Sequence, residues 1–132
     1  MKPLKSQIGC TSRTTTKQIG DAAESGALRH LQQQGLHLLQ SNYRTPGRGG
    51  GEIDLVMRAG DGTLVFVEVR MRRQNRQGGA LASVTFTKQR RIILAARHYL
   101  RRYQRPPPCR FDVVGVGPEG VHWVQAAFDA GA

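Results

Sequence analysis

Apolar residues recur at helical spacing near the start of the chain. They lie four positions apart, at Ile19, Ala23, Ala27 and Leu31. The pattern predicts a helix that begins in the threonine run at residues 14–16, where a hydroxyl can cap it, and ends at Gly35. GLHLLQSNYR then predicts a first strand. TPGRGG and Gly51 follow as a basic loop, whose glycines either let the backbone approach a ligand closely or belong to a plain surface loop.

Two alternating segments in the centre of the sequence predict a β-hairpin. EIDLVMR and LVFVEVRMR have the period of strands, and the GDG sequence at residues 60–62 is a turn signal. A second helix is predicted from Thr87, as its cap, to Tyr103, because the prolines at 106–108 forbid its continuation. RFDVVGVG and GVHWVQ predict a final strand pair. The predicted order is helix, three strands, helix, two strands.

The length of 132 residues suits one compact domain, which we place at residues 15–129. Residues 1–14 predict a flexible basic tail, and residues 130–132 a frayed C-terminus. No apolar run has the length of a membrane span or of a secretory signal, which favours a cytoplasmic protein. Cys10 and Cys109 lack the spacing of a disulfide framework or a zinc site.

Positive charge dominates the composition. Lys and Arg number 20 against 9 Asp and Glu, so the formal net charge is +11. A field of this sign attracts polyanions and favours nucleic acid as the partner, with a solubilising surface or an anionic membrane surface as alternatives. The arginines of the second helix form either a phosphate-binding face or a merely solvated one. The candidate nucleic-acid-binding residues are Arg44, Arg48, Arg72, Arg73, Arg76, Arg90, Arg91 and Arg97.

Three of the nine acidic residues, Glu52, Asp54 and Glu68, lie in or beside strongly apolar strands. Such a carboxylate loses hydration and needs a cation, a hydrogen bond or a metal ion, unless it faces solvent at a sheet edge. A loop at residues 60–62 places Asp54 across from Glu68, and Glu52 across from Arg70. Like charges this close repel unless a cation lies between them, which favours Mg²⁺ or Mn²⁺. A shorter loop or a bulge would change this register.

Each predicted helix adds a polar residue near its apolar stripe. Glu24 lies beside the stripe of the first helix and could join the acidic residues. The stripe of the second helix consists of Ile92, Ala96, Tyr99 and Tyr103. Lys88 is one turn before this stripe and is therefore predicted to point toward the acidic residues.

An ordered set of motifs resembles the YraN-like family of bacterial proteins. It consists of KQIGDAAE, GEIDLV, FVEVR, a Thr-Lys-Gln helix start and RFDVV, and it spans the chain from Lys17 to Phe128. That family is similar to the PD-(D/E)XK nuclease superfamily, particularly to archaeal Holliday-junction resolvases. The resemblance implies an α/β fold with a restriction-endonuclease-like αβββαβ core, in which helices flank a central mixed sheet. It also implies self-association, because resolvase-like relatives act as dimers.

The resemblance assigns roles by position. Asp54 corresponds to the metal-binding acid, and Glu68 with the main-chain carbonyl of Val69 completes the metal site. Glu24 resembles a first-helix glutamate, and Lys88 a basic residue on the following helix. Glu52 is a further candidate metal ligand.

Arg70 occupies the position of the lysine in the family motif. Arginine can stabilise negative charge, but it is a poor proton acceptor. The first hypothesis is therefore a Mg²⁺- or Mn²⁺-dependent DNA endonuclease, acting on substrates that include branched or single-stranded DNA. The second is a nucleic-acid-binding module that keeps the nuclease scaffold and acts with partner proteins. A ribosomal or RNA-associated basic protein, the third, leaves the acidic residues unexplained.

Overall fold

The computed structural model describes residues 16–72 and 84–130. The predicted tail, Arg73, Arg76 and the last two residues lie outside these ranges. Within them the order of elements is the predicted one. The elements are α1 (Thr16–Gln33), β1 (His37–Arg44), β2 (Glu52–Arg58), β3 (Leu64–Met71), α2 (Phe86–Leu100), β4 (Cys109–Gly117) and β5 (Gly120–Phe128).

The strands in the described residues form one five-stranded sheet in the order β1-β2-β3-β4-β5. Neighbouring strands run antiparallel, except that β3 and β4 are parallel. Parallel neighbours need a crossover connection, and α2 lies in that connection. The predicted α/β fold with a restriction-endonuclease-like core is therefore confirmed. Neither described helix is long and apolar enough to cross a membrane.

Each face of the sheet is covered by one helix. On one face, α2 packs its buried residues Ile92 and Tyr99 against Phe66 and other sheet residues. On the other face, α1 packs Ala27 and Leu31 against apolar side chains of β2, β3 and β4. The two apolar layers fix where each helix lies, and so they position the polar residues that flank each buried stripe.

The boundaries of α2 differ from the prediction at both ends. Thr85, not Thr87, is the N-cap, and its hydroxyl accepts a hydrogen bond from the backbone N–H of Lys88 at 3.1 Å. Either threonine could cap by chemistry, but Thr85 is the one with extended backbone. The helix ends at Leu100, and the backbone N–H of Tyr103 donates to the Leu100 carbonyl at 3.0 Å in a tighter turn.

The glycine loop between β1 and β2 is closed by Thr45. The Gly51 N–H donates to the Thr45 hydroxyl at 2.7 Å, and the Thr45 N–H donates to the Gly51 carbonyl at 3.0 Å. Gly51 is buried, and a Cβ added there would lie 1.9 Å from the carbonyl oxygen of Arg91. Gly51 therefore lets the backbone of this loop approach the backbone of α2 closely.

A buried carboxylate fastens β5 to β4. Asp112 is fully buried and accepts hydrogen bonds from the Trp123 indole N–H and the Ala126 backbone N–H, both at 2.9 Å. Arg110 pairs with the same carboxylate at 3.0 Å. The register of the two strands shifts beside Asp112, and Ala126 has a φ of +49°. Asp112 therefore supplies hydrogen-bond acceptors where the ladder between β4 and β5 is irregular, which is a structural role.

Candidate functional site

Asp54 and Glu68 lie where β2 and β3 separate. The predicted register is observed from Arg58↔Leu64 to Leu55↔Val67, and the pairing ends one position before the two acidic residues. Beyond that point the Asp54 carboxylate accepts the backbone N–H of Val69 at 2.7 Å. The side chain of Asp54 is thus anchored to β3 next to Glu68.

Glu68 is a buried carboxylate with two cations beside it. The residue is 3% exposed, and its Oε2 lies 3.3 Å from Arg70 Nη1 and 3.8 Å from Lys88 Nζ. Its other oxygen, Oε1, is buried, and no N–H or cationic group of the described residues donates to it. The side chains of Glu68 and Asp54 instead form a hydrogen bond with each other, which requires a proton on one of the two carboxyls.

Burial and mutual repulsion weaken the acidity of this pair. Burial, and next the charge of Asp54, raise the pKa of Glu68 to about 7, although Lys88 and Arg70 act in the opposite direction. Burial also raises the pKa of Asp54, against the hydrogen bond from Val69. The pair therefore carries fewer than two negative charges near neutral pH, and a cation that bound there would restore the full charge.

The raised pKa of Glu68 predicts a loss of stability at higher pH. The folded protein binds this proton more tightly than the unfolded chain, so its contribution is present below pH 4.5 and lost as the pH rises through about 7. We expect the free energy of unfolding to fall by on the order of 3 kcal/mol over that range. Urea unfolding of the wild type and of Glu68→Gln measures the effect. The variant should lack this decline, whereas Glu119→Gln, at an exposed turn, should keep it. Equal declines in all three proteins would contradict the assignment.

Glu24 joins the site from α1. It is half-buried, and burial, followed by the charge of Asp54, raises its pKa. The side chain of Asn42 forms a hydrogen bond with Glu24 that opposes this rise. The structure therefore brings Glu24 into the same electrostatic environment as Asp54, as its place beside the apolar stripe predicted.

Asn42 is a residue of this site that sequence reasoning missed. The pairs Ser41↔Leu55 and Tyr43↔Ile53 place it opposite Asp54 on the neighbouring strand. Its φ is +54°, a left-handed conformation that asparagine tolerates better than other residues with a side chain. The available signal was an asparagine inside a segment that otherwise predicts a strand.

Glu52 differs from its prediction. It pairs with Arg44 across β1, at 3.6 Å between Oε2 and Nη2, and β2 has no pairing with β3 at this position. The predicted opposition of Glu52 and Arg70 is therefore wrong. The physical reason is a break in the alternation of β2: Ile53 belongs to the apolar layer under α2, whereas Leu55 belongs to the layer under α1.

The candidate phosphate-binding arginines are spread over several surfaces. Arg44 and Arg48 are exposed near the glycine loop, and Arg72 is half-buried at the end of β3. Arg91 Nη2 donates to the Gly50 carbonyl at 3.2 Å, which ties α2 to the loop. The three candidates on α2 are all exposed: Arg90, Arg91 and Arg97.

Comparison with known proteins identifies the family. The family model described as "Uncharacterised protein family UPF0102" matches residues 23–116, a span that contains every acidic and basic residue of the site. A UPF0102 protein of Albidiferax ferrireducens is 66% identical over 127 residues, covering 96% of this chain and 95% of the relative. A UPF0102 protein of Paracidovorax citrulli is 63% identical over 123 residues, covering 93% and 91%. The chain therefore belongs to the UPF0102 family, the YraN-like family whose motifs it carries.

Proposed function

We propose that this protein is a metal-dependent phosphodiester hydrolase that acts on DNA in the cytoplasm, with Asp54 and Glu68 as its metal-binding carboxylates. The observation that carries the proposal is the buried pair itself. One oxygen of Glu68 has no N–H or cationic donor among the described residues. The neighbouring carboxyl is that of Asp54, whose charged form burial also disfavours and whose side chain forms a hydrogen bond with Glu68. Two buried carboxyls that share a proton in the absence of a cation can give up that proton and bind a divalent cation with their oxygens.

The donor set fits Mg²⁺ or Mn²⁺. No cluster of three or more His, Cys, Asp or Glu side chains suited to a metal ion occurs in residues 16–72 and 84–130. Mg²⁺ does not need such a cluster, since it is usually held by one or two carboxylates and keeps several waters. Asp54, Glu68 and the backbone carbonyl of Val69 are the oxygens that we assign to it, and Glu52 stays a further candidate at the edge.

The cation would supply an activated water and would neutralise charge on the phosphate. The chain itself supplies the remaining functions. Lys88 and Arg70, both beside Glu68, stabilise the negative charge that develops on the phosphoryl oxygens. Arg70 does not accept a proton at ordinary pH. The pKa of Glu24 is raised toward neutral pH. In its charged form Glu24 is the neighbouring carboxylate that can receive the proton of the attacking water.

The basic surface supplies the affinity for nucleic acid. The arginines near the glycine loop and on α2 have exposed side chains, and the formal net charge of the whole chain is +11. Each phosphate neutralised by an arginine releases a counterion, so binding through these residues should weaken as salt rises.

The test is a cleavage screen over duplex, single-stranded, flapped and four-way DNA in Mn²⁺ or Mg²⁺, with an EDTA control and the Asp54→Asn protein in parallel. Calorimetric titration with Mn²⁺ runs beside it. We expect cleavage of at least one substrate that depends on the metal, together with a heat of Mn²⁺ binding. Absence of both in the wild type would overturn the proposal.

A second candidate function is a binding module without hydrolytic activity. Arg70 favours it, because the position that holds lysine in the family motif carries a side chain that cannot take up a proton. The same two measurements separate the candidates. Salt-sensitive DNA binding without Mn²⁺ uptake and without cleavage would select the binding module.

A further inference from the structure

The outer face of α2 presents an exposed aromatic ring in a basic groove. Phe86, the first residue of the helix, is 72% exposed, and Leu94 on the same groove is 47% exposed. The groove has a volume of about 630 Å³ and ends against the C-terminal end of β5. Its charged lining residues are Arg90, Arg91 and Arg97 of α2 and, directly after β5, Asp129. The core of the sheet does not use Phe86, so its aromatic face is available beside these basic side chains.

The arrangement of charge around the ring favours a polyanion. The guanidinium of Arg90 lies 5.8 Å from the centroid of the Phe86 ring. Phe86, Arg90 and Arg97 are spaced so that they share the side of α2 opposite its buried stripe. The first turn of α2 contains no acidic residue, so the positive end of the helix dipole adds to the same field.

We propose that this groove binds single-stranded nucleic acid, with an unpaired base stacked on Phe86 and its phosphates held by the arginines of α2. Proteins that bind single strands combine these two elements, a basic groove that follows the backbone and aromatic side chains on which bases stack. A second copy of the chain is a poorer occupant, because it would bring its own arginines against these. A regular duplex is also a poorer occupant, since its bases are stacked on one another and offer no free face.

The position of Phe86 relative to the site gives the groove a role in the proposed hydrolysis, and in this respect the inference rests on the proposed function. Lys88 lies two residues after Phe86 in the same helical turn, and its amine is 3.8 Å from Glu68. The two side chains leave this turn in different directions, Lys88 toward the site and Phe86 toward the groove. A single strand that crosses the N-terminal turn of α2 would reach both, so the substrate would have unpaired nucleotides next to the cleaved phosphodiester.

The experiment measures binding without cleavage. Fluorescence anisotropy of labelled single-stranded and duplex oligonucleotides is recorded in EDTA for the wild type and for the variants Phe86→Leu, Phe86→Tyr and Leu38→Ala. Phe86→Leu keeps an apolar side chain but removes the aromatic face, so we expect single-strand affinity to fall roughly tenfold and duplex affinity to stay within about twofold. Phe86→Tyr should bind like the wild type, and so should Leu38→Ala, which truncates an exposed apolar side chain on β1, outside the groove.

Three results would overturn the inference. Phe86→Leu could bind single strands as tightly as Phe86→Tyr, it could lose single-strand and duplex affinity equally, or it could dissociate an oligomer seen by light scattering, which would assign the groove to a second copy. Because EDTA excludes metal-dependent cleavage, the outcome is independent of catalysis. Phe86-dependent binding of single strands by a wild type that neither cleaves DNA nor binds Mn²⁺ would refute the hydrolase proposal and leave this one standing.

Discussion

Replacing Asp54 by asparagine is expected to abolish metal-dependent cleavage while the fold stays intact. The variant loses the negative charge that we assign to the cation, and even changes in residues that only orient metal ligands cost about 10- to 100-fold. We therefore expect the cleavage rate to fall by more than about a hundredfold, with a matching loss of Mn²⁺ binding heat. The measurements are initial cleavage rates on the best substrate of the screen and calorimetry of the same preparation.

A measurement of thermal stability separates this loss of cleavage from a loss of folding. An asparagine carbonyl can still accept the Val69 N–H, and burial raises the pKa of Asp54, so the neutral side chain suits the site at least as well as the charged one. The midpoint of thermal unfolding should not fall. Asp61→Asn is the matched control, because Asp61 lies in the exposed turn and its carboxylate accepts local hydrogen bonds, among them those from the N–H (3.0 Å) and the side chain of Thr63. Undiminished cleavage by Asp54→Asn would remove this residue from the mechanism.

The Gly51→Ala protein is expected to be severely destabilised. The added Cβ would lie 1.9 Å from the Arg91 carbonyl oxygen and 3.2 Å from the Ala95 Cβ, and neither a backbone oxygen nor a buried methyl can move aside cheaply. Relief requires the loop to separate from α2. We expect a loss of about 3 kcal/mol or more in the free energy of unfolding, at the upper end of the cost of overpacking. Urea unfolding followed by circular dichroism measures it.

Gly26→Ala is the matched control for that change. Gly26 lies inside α1, and nothing stands within 4 Å of a Cβ added there. Alanine is favoured over glycine in a helix interior, so this variant should gain about 0.5–1 kcal/mol. If Gly51→Ala were as stable as the wild type, the close contact between the loop and α2 would not exist in solution.

The order of elements could be predicted because each was encoded locally. The alternation of EIDLVMR and LVFVEVRMR fixed two strands, and the GDG turn fixed how they pair, down to the observed register at Leu55↔Val67. Continued by one position, that register places Asp54 next to Glu68, and in the structure the two side chains lie together just beyond the last ladder pair. The buried stripe of α2 likewise directed Lys88 toward Glu68, where its amine lies 3.8 Å away.

The errors and omissions depend on contacts between distant segments. Thr85 and Thr87 are equivalent by composition, and only the path of the chain into α2 selects Thr85. The prediction that Glu52 faces Arg70 assumes a regular strand. In the structure the alternation of side chains along β2 breaks at Asp54, and Glu52 pairs with Arg44 instead. Asn42, opposite Asp54 on β1, has a left-handed backbone, so the irregularity involves both strands and is not contained in the pattern of β2 alone.

Asn42 and Phe86 were missed for a related reason. An asparagine in a strand and a phenylalanine near a helix start both suit ordinary structural roles, so the sequence gives them no special weight. Their significance comes from position: Asn42 opposite Asp54 with a left-handed backbone, and Phe86 on the face of α2 turned away from the sheet.

The hydrogen bond between Trp123 and Asp112 gives this protein an intrinsic optical reporter. The sequence contains a single tryptophan, and its indole N–H is held by a fully buried carboxylate on the adjacent strand. Indole emission depends on the polarity around the ring, so detachment of β5 from β4 would shift the spectrum while α1 and α2 stay folded. Opening of the C-terminal hairpin is thus distinguishable from global unfolding without any label if the emission shift precedes the loss of the helical circular dichroism signal.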